Sequence, residues 1–208
     1  MNDILSILES MYPHAKTALN HENPFQLLVA TILSAQTTDE RVNMITSDLF
    51  KAYPDAHSLA QASDKSVGEI IKSVGLWRTK ARNLVETAKI LSQEYDGQVP
   101  KTREELETLP GVGRKTASVV LANAFGVPAI AVDTHVFRVS NRLGLAEAGN
   151  PLETEKQLME VIPKDKWINA HHWLIYHGRA ICKARNPQCE QCPLNPYCKY
   201  YRTMHQLD

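Results

Sequence analysis

All four cysteines of this chain fall within one seventeen-residue stretch, CKARNPQCEQCPLNPYC, as Cys182, Cys189, Cys192 and Cys198 with the spacing C-x6-C-x2-C-x5-C. Any fold must therefore bring four sulfurs of one loop close together. Two disulfides would satisfy the thiols, but bridges between such near neighbours would constrain little of the remaining chain. The first ten residues, MNDILSILES, have no basic n-region and carry Asp3 and Glu9. No apolar run approaches the ~20 residues of a membrane span. A soluble, intracellular and reducing setting is expected, where thiols stay free. Four converging thiolates then point to a metal centre, either tetrahedral zinc or a [4Fe–4S] cluster, and spacing alone does not choose between them.

With 208 residues, 43% hydrophobic and 22% charged, the chain is long enough for one large or two small globular domains. Twenty-three basic residues balance twenty-three acidic ones, so bulk charge lends no support to a polyanionic partner. Distribution says more. Between Lys164 and Arg202 there are seven basic and two acidic side chains, a local net charge of +5. That fits an anionic partner for the C-terminal part, and fits a solvated basic face equally well.

Helical periodicity runs through nearly every segment and no strict alternation suggests a strand, so the fold class is all-α. Residues 24–35, PFQLLVATILSA, are apolar almost all round, with Asn23 as N-cap and Pro24 at the first helical position, the pattern of a buried central helix. Thr38 is placed to cap a second helix that opens with Asp39 and Glu40. Residues 78–95 carry Ala81, Leu84, Val85, Ala88 and Leu91 on one face. Thr102 and Glu105 have capping-box spacing for a short helix ending near Thr108. Further helices are expected over about 113–125, 133–143, 152–162 and 165–182, the second of these headed by Asp133 as N-cap.

Between two of these helices lies LPGVGRKTA, Leu109 to Ala117. It is not a nucleotide phosphate loop, because one residue rather than four separates Gly111 from Gly113 and Arg114 precedes Lys115. Nor is it a dinucleotide fingerprint, which needs a preceding strand. Glycines here permit positive φ and let backbone N–H groups approach a phosphate without sequence preference. A lysine in the first turn of a helix opposes the dipole. The positive helix end together with partial burial would favour the neutral amine that a nucleophile requires. Asp133, eighteen residues on, heads the next long helix and could bring a carboxylate near that amine.

Taken together, LPGVGRKTA, VDTHVFRVSNRLGL, LLVATILSAQTTD and the cysteine spacing resemble the endonuclease III family, bifunctional DNA glycosylase/AP lyases of the helix-hairpin-helix superfamily. The resemblance covers essentially the whole chain. It implies a six-helix barrel domain over residues 17–127 that holds the hairpin, a second helical domain of residues 1–16 and 128–208, and a DNA cleft between them. The four cysteines would carry a [4Fe–4S] cluster whose loop presents Lys183 and Arg185 to phosphates. Lys115 matches the nucleophile and Asp133 the essential carboxylate. Gln36 and Leu76 match residues that fill the gap left by a flipped nucleotide. Gly111 and Gly113 belong to the DNA-binding hairpin, and His135 to a DNA-proximal position that a capping or hydrogen-bonded histidine explains nearly as well. The implied partner is duplex DNA with damaged bases or abasic sites, handled by a cytoplasmic, nucleoid-associated monomer. Two rival readings remain: a monofunctional adenine-mismatch glycosylase, which typically lacks the lysine, and a non-enzymatic DNA-binding module stabilised by its metal.

Overall fold

The protein is described by a computed structural model over residues 2–206, in which every regular element is helical. In chain order the α-helices are α1 (Asn2–Met11), α2 (Pro24–Leu33), α3 (Asp39–Ala52), α4 (Ala56–Ala60), α5 (Asp64–Ile71), α6 (Trp77–Glu94), α7 (Arg103–Glu107), α8 (Arg114–Phe125), α9 (Thr134–Leu143), α10 (Pro151–Val161), α11 (Trp167–Ala180) and α12 (Lys199–Met204).

Local capping chemistry sets most starts. Asn23 accepts from the Gln26 N–H and Pro24 occupies N1 of α2, as the sequence predicts. Thr38 caps α3, and Asp133 caps α9 by accepting from the Val136 N–H at 2.7 Å. Asn150–Pro151 repeats the Asn–Pro signal and starts α10 one residue before the expected position. At α7 the anticipated capping box closes differently. Thr102 accepts from the Glu105 N–H, but the Glu105 carboxylate takes the Thr102 hydroxyl at 2.6 Å, not the backbone N–H.

The chain divides into two compact units, Thr17–Val127 and the residues up to Lys16 combined with those from Pro128 onward. In the first unit every residue of α2 from Phe25 to Leu33 is buried. Around it pack Leu49, Leu59, Ile71, Leu84, Leu91, Leu106 and Leu109. Burying each such leucine contributes on the order of 1.5–3 kcal/mol, which explains why α2 tolerates no polar face. The second unit has its own core, with Leu8, Ile130, Val136, Val139, Leu158, Trp173, Leu174 and Leu194. There α9 and α11 approach closely at Gly178, where a Cβ would lie 3.0 Å from the Cβ and Nδ1 of His135 and 3.1 Å from Val139 Cγ2. No helix among the described residues is long and apolar enough to cross a membrane.

Candidate active site and cluster loop

The turn between α7 and α8 is anchored by its apolar residues. Leu109 and Val112 are buried, the Val112 N–H donates to the Leu109 carbonyl at 3.1 Å, and Thr87 Oγ1 donates to the Pro110 carbonyl at 3.0 Å. Gly111 sits at φ +78°, and a Cβ on it would lie 2.9 Å from Asn83 Nδ2. Both the turn and the packing therefore demand glycine. Gly113 is different. Its φ of −101° and ψ of −178° are open to any residue, and nothing lies within 4 Å of the Cβ position. Only Gly111 uses the positive φ expected of the pair. As N-cap of α8, Gly113 supplies no side-chain oxygen, so the first N–H groups of α8 face no side-chain cap.

Lys115 is the second residue of α8 and is exposed, without the partial burial anticipated from the sequence. Helix geometry gives the reason: the core face of α8 belongs to Ala117, Val120 and Leu121, and a residue two positions before Ala117 lies about 200° around the axis. The first turn is held from below by Arg103, whose Nη1 donates to Ser118 Oγ at 2.9 Å and to the Arg114 carbonyl at 3.3 Å. Asp133, in the other unit, is half-buried. Its Oδ1 is committed to capping α9, while Oδ2 makes no hydrogen bond among the described residues. His135 is held in place, with Nδ1 facing Arg138 Nη2 at 3.2 Å. Burial pushes its pKa down, against the nearby Asp133 carboxylate that favours the charged form.

Gln36 and Leu76 share an unusual backbone. They stand at φ +55° and +58°, both are exposed, and Leu76 is 61% accessible as the N-cap of α6. Left-handed backbone costs a non-glycine residue roughly 1–2 kcal/mol. The two turns touch, since a Cβ on Gly75 would lie 3.5 Å from the Gln36 carbonyl oxygen.

The four cysteines are free thiols and line one cavity together with Leu143, Ile181, Tyr200 and Tyr201. No three His, Cys, Asp or Glu side chains among the described residues are grouped to hold a single metal ion. Burial pushes the thiols of Cys189, Cys192 and Cys198 up, and bound iron would reverse that by stabilising the thiolates. An all-sulfur donor set in an apolar wall fits an iron–sulfur cluster. Of the nearby histidines, His171 is turned to the Ala131 carbonyl, 2.7 Å from Nδ1, whereas His177 lines the same cavity, with Nδ1 3.2 Å from the Tyr12 hydroxyl and Nε2 3.6 Å from Cys192 Sγ.

Two arginines one turn apart on α9, not anticipated from the sequence, hold the loop after Cys182. Arg138 Nε donates to the Cys182 carbonyl at 3.1 Å and Nη2 to the Gly178 carbonyl at 2.9 Å. Arg142 donates to the carbonyls of Lys183 (2.7 Å) and Ala184 (3.2 Å), and its Nη1 lies 3.5 Å from Cys182 Sγ. With the loop backbone tied at the carbonyls of Cys182, Lys183 and Ala184, the side chains of Lys183 and Arg185 are left exposed. Their i, i+4 spacing was visible, but nothing local marks a partner more than forty residues away.

A glycine-tight hairpin before an uncapped helix start, and a separate four-thiol loop, define a helix-hairpin-helix protein with an iron–sulfur segment. Residues 29–164 match the family model of the HhH-GPD superfamily base excision DNA repair protein, and residues 182–198 match the iron–sulfur binding domain of endonuclease III. The chain belongs to the endonuclease III family. It is 52% identical over 197 residues to endonuclease III of Synechocystis sp., covering 94% of this chain and 90% of that one. A trapped endonuclease III–DNA covalent intermediate superposes with a TM-score of 0.92 at 47% identity, covering 98% and 96% of the two chains. A non-covalent endonuclease III–DNA complex gives 0.93 at 47% identity, covering 99% and 96%. The cofactor is a [4Fe–4S] cluster. Purified protein is expected to be yellow-brown with about four irons per chain; a colourless preparation with one zinc would overturn the assignment of the cluster to Cys182, Cys189, Cys192 and Cys198.

Proposed function

We propose that this protein is a DNA glycosylase/AP lyase that removes oxidised pyrimidines from duplex DNA and nicks the resulting abasic site. The observation that carries this reading is an exposed lysine in the first turn of α8, directly after the uncapped hairpin, in a chain of the endonuclease III family. The domain boundaries of this reading are those of the two compact units, with Lys115 in one and Asp133 in the other.

The chemistry asks little of the protein beyond a nucleophile and a carboxylate. The neutral Lys115 amine attacks C1′ of an extruded nucleotide, the N–C1′ bond forms, and the glycosidic bond breaks as the departing base takes a proton. Asp133 assists the proton transfer and stabilises positive charge developing on the sugar. The sugar ring then opens, the C1′–O4′ bond breaking as O4′ takes a proton, which turns the aminal into a Schiff base that acidifies C2′. Loss of a C2′ proton and cleavage of the C3′–O3′ bond expel the downstream strand with its 5′ phosphate. The open space over Gly113 and the α8 N-terminus, which has no side-chain cap, suit a backbone phosphate. Gln36 and Leu76 fill the stack left by extrusion, which costs a few kcal/mol. His135 lies near the strand, and Lys183 and Arg185 contact phosphates.

Incubation with duplex containing an oxidised pyrimidine in the presence of borohydride tests the reading: a covalent protein–DNA adduct is expected. Base release without adduct would favour a monofunctional enzyme, and neither would favour a binding module. For the basic loop, Lys183→Ala is expected to weaken binding to all sequences alike and to make the log–log salt slope shallower by about 0.9. An unchanged slope would remove Lys183 from the phosphate contacts.

A further inference from the structure

Lys80 is 5% exposed, yet its ammonium lies in the interior of the first unit with three acceptors. Nζ donates to the Leu33 carbonyl at 2.9 Å, to the Ala35 carbonyl, and to Thr37 Oγ1 at 3.2 Å. These groups are the C-terminal end of α2 and the two residues flanking Gln36. A cation suits that end of a helix, where carbonyls lack partners and the dipole is negative. The backbone of Lys80 is equally well placed, since its N–H donates to the Leu76 carbonyl at 3.0 Å across the first turn of α6. One residue therefore bonds both turns that hold an exposed side chain on left-handed backbone, through its side chain on the Gln36 side and through its main chain on the Leu76 side.

Neither strained turn is explained by its own sequence. Gln36 and Leu76 are not glycine, asparagine or aspartate, and such residues hold positive φ only where their surroundings impose it. The backbone at Gly75 passes close enough to Gln36 that a Cβ there would lie 3.5 Å from its carbonyl oxygen, and the Lys80 ammonium is the charged group that fixes the first of the two turns. Desolvation of an ammonium is tolerated in a protein interior only when its donors are paired, as they are here.

We propose that Lys80 is a positioning residue that locks the Ala35–Thr37 turn onto the start of α6, so that Gln36 and Leu76 act as one rigid two-pronged wedge in the space vacated by an extruded nucleotide. The proposal rests on the wedge reading of Gln36 and Leu76 given above. A preformed wedge spares the ordering of two loops during extrusion. It matters only where there is a stack to fill, so its loss is felt on duplex and not on single-stranded substrate.

The test measures single-turnover strand cleavage at an abasic site in duplex and in single-stranded DNA, using the full-length, cluster-containing protein. Lys80→Met keeps the stem and removes the charge. It is expected to slow cleavage of duplex by about tenfold and of single strand by no more than about twofold, with faster amide exchange at residues 35–37 and 76–79. Gln36→Ala and Leu76→Ala are measured alongside. If these two lower the duplex-to-single-strand ratio and Lys80→Met does not, the coupling is overturned while the wedge stands. If they leave the ratio unchanged, the wedge reading fails; exchange that is also unchanged in Lys80→Met then overturns the lock itself, and faster exchange in both turns supports it. Equal slowing on both substrates marks Lys80 as a general structural residue and overturns the proposal. Should Lys80→Met fail to fold, Thr37→Val removes one acceptor only, and a fall of about threefold in the same ratio is expected; no fall overturns the proposal.

Discussion

Lys115→Ala is expected to abolish the borohydride-trapped adduct and to reduce strand cleavage at an abasic site by at least about a thousandfold, the scale on which removal of a nucleophile that works with a partner group is felt. The variant should nonetheless be as stable as the parent, or slightly more so. Lys115 is exposed, so no core contact is lost. Alanine is the better helix former, and removing a cation from the positive end of α8 relieves about 0.3–1 kcal/mol of unfavourable dipole interaction. Thermal unfolding and duplex affinity, measured on the same preparation, separate a chemical defect from a folding defect. Lys115→Arg keeps the charge but offers no comparable nucleophile and should be equally inactive. An adduct that survives in Lys115→Ala would assign the Schiff base to another amine.

Asp133→Asn is expected to lower single-turnover base removal by about 10²–10⁴-fold, the usual range for loss of a positioned acid–base group. Asparagine caps a helix about as well as aspartate. The Oδ1 bond to the Val136 N–H can therefore persist, and only the charge on the remaining oxygen is lost. Asp133→Ala removes both, and should add roughly 1 kcal/mol of destabilisation from the missing cap. If Asp133→Asn retains parental rates while Asp133→Ala unfolds at lower temperature, Asp133 is a cap and nothing more.

Of these two residues, only Asp133 has a local setting that could be read directly from the chain. Asn23, Thr38 and Asp133 cap as their sequence neighbours predict, because an N-cap oxygen bonds an N–H two or three residues away. The core faces of α6 and α9 follow from 3.6-residue periodicity, and the grouping of the four thiols follows from their short separation. Other local signals are present at α4 and α5, where Asp55 with Ser58 and Ser63 with Ser66 form reciprocal boxes. There serine stands where the familiar pattern has glutamate, and it is correspondingly less conspicuous.

The residues that shape the site without acting in it were hidden. Arg103, Arg138, Arg142 and Lys80 carry no local mark of their role, since the carbonyls they hold lie eleven to forty-seven residues away along the chain. Exposure was equally out of reach. The anticipated burial of Lys115 depended on which side of α8 faces the core, and the left-handed turns at Gln36 and Leu76 depend on neighbours brought in by α6.

By itself the chain determined most of its helices and their caps, the glycine of its hairpin turn and the grouping of its four cysteines, because these rest on interactions spanning a few residues. Tertiary structure alone decided which lysine is buried and which is presented, and which carbonyls receive the arginines. Those outcomes depend on desolvation and on donor–acceptor pairing between segments that meet only after the core has closed.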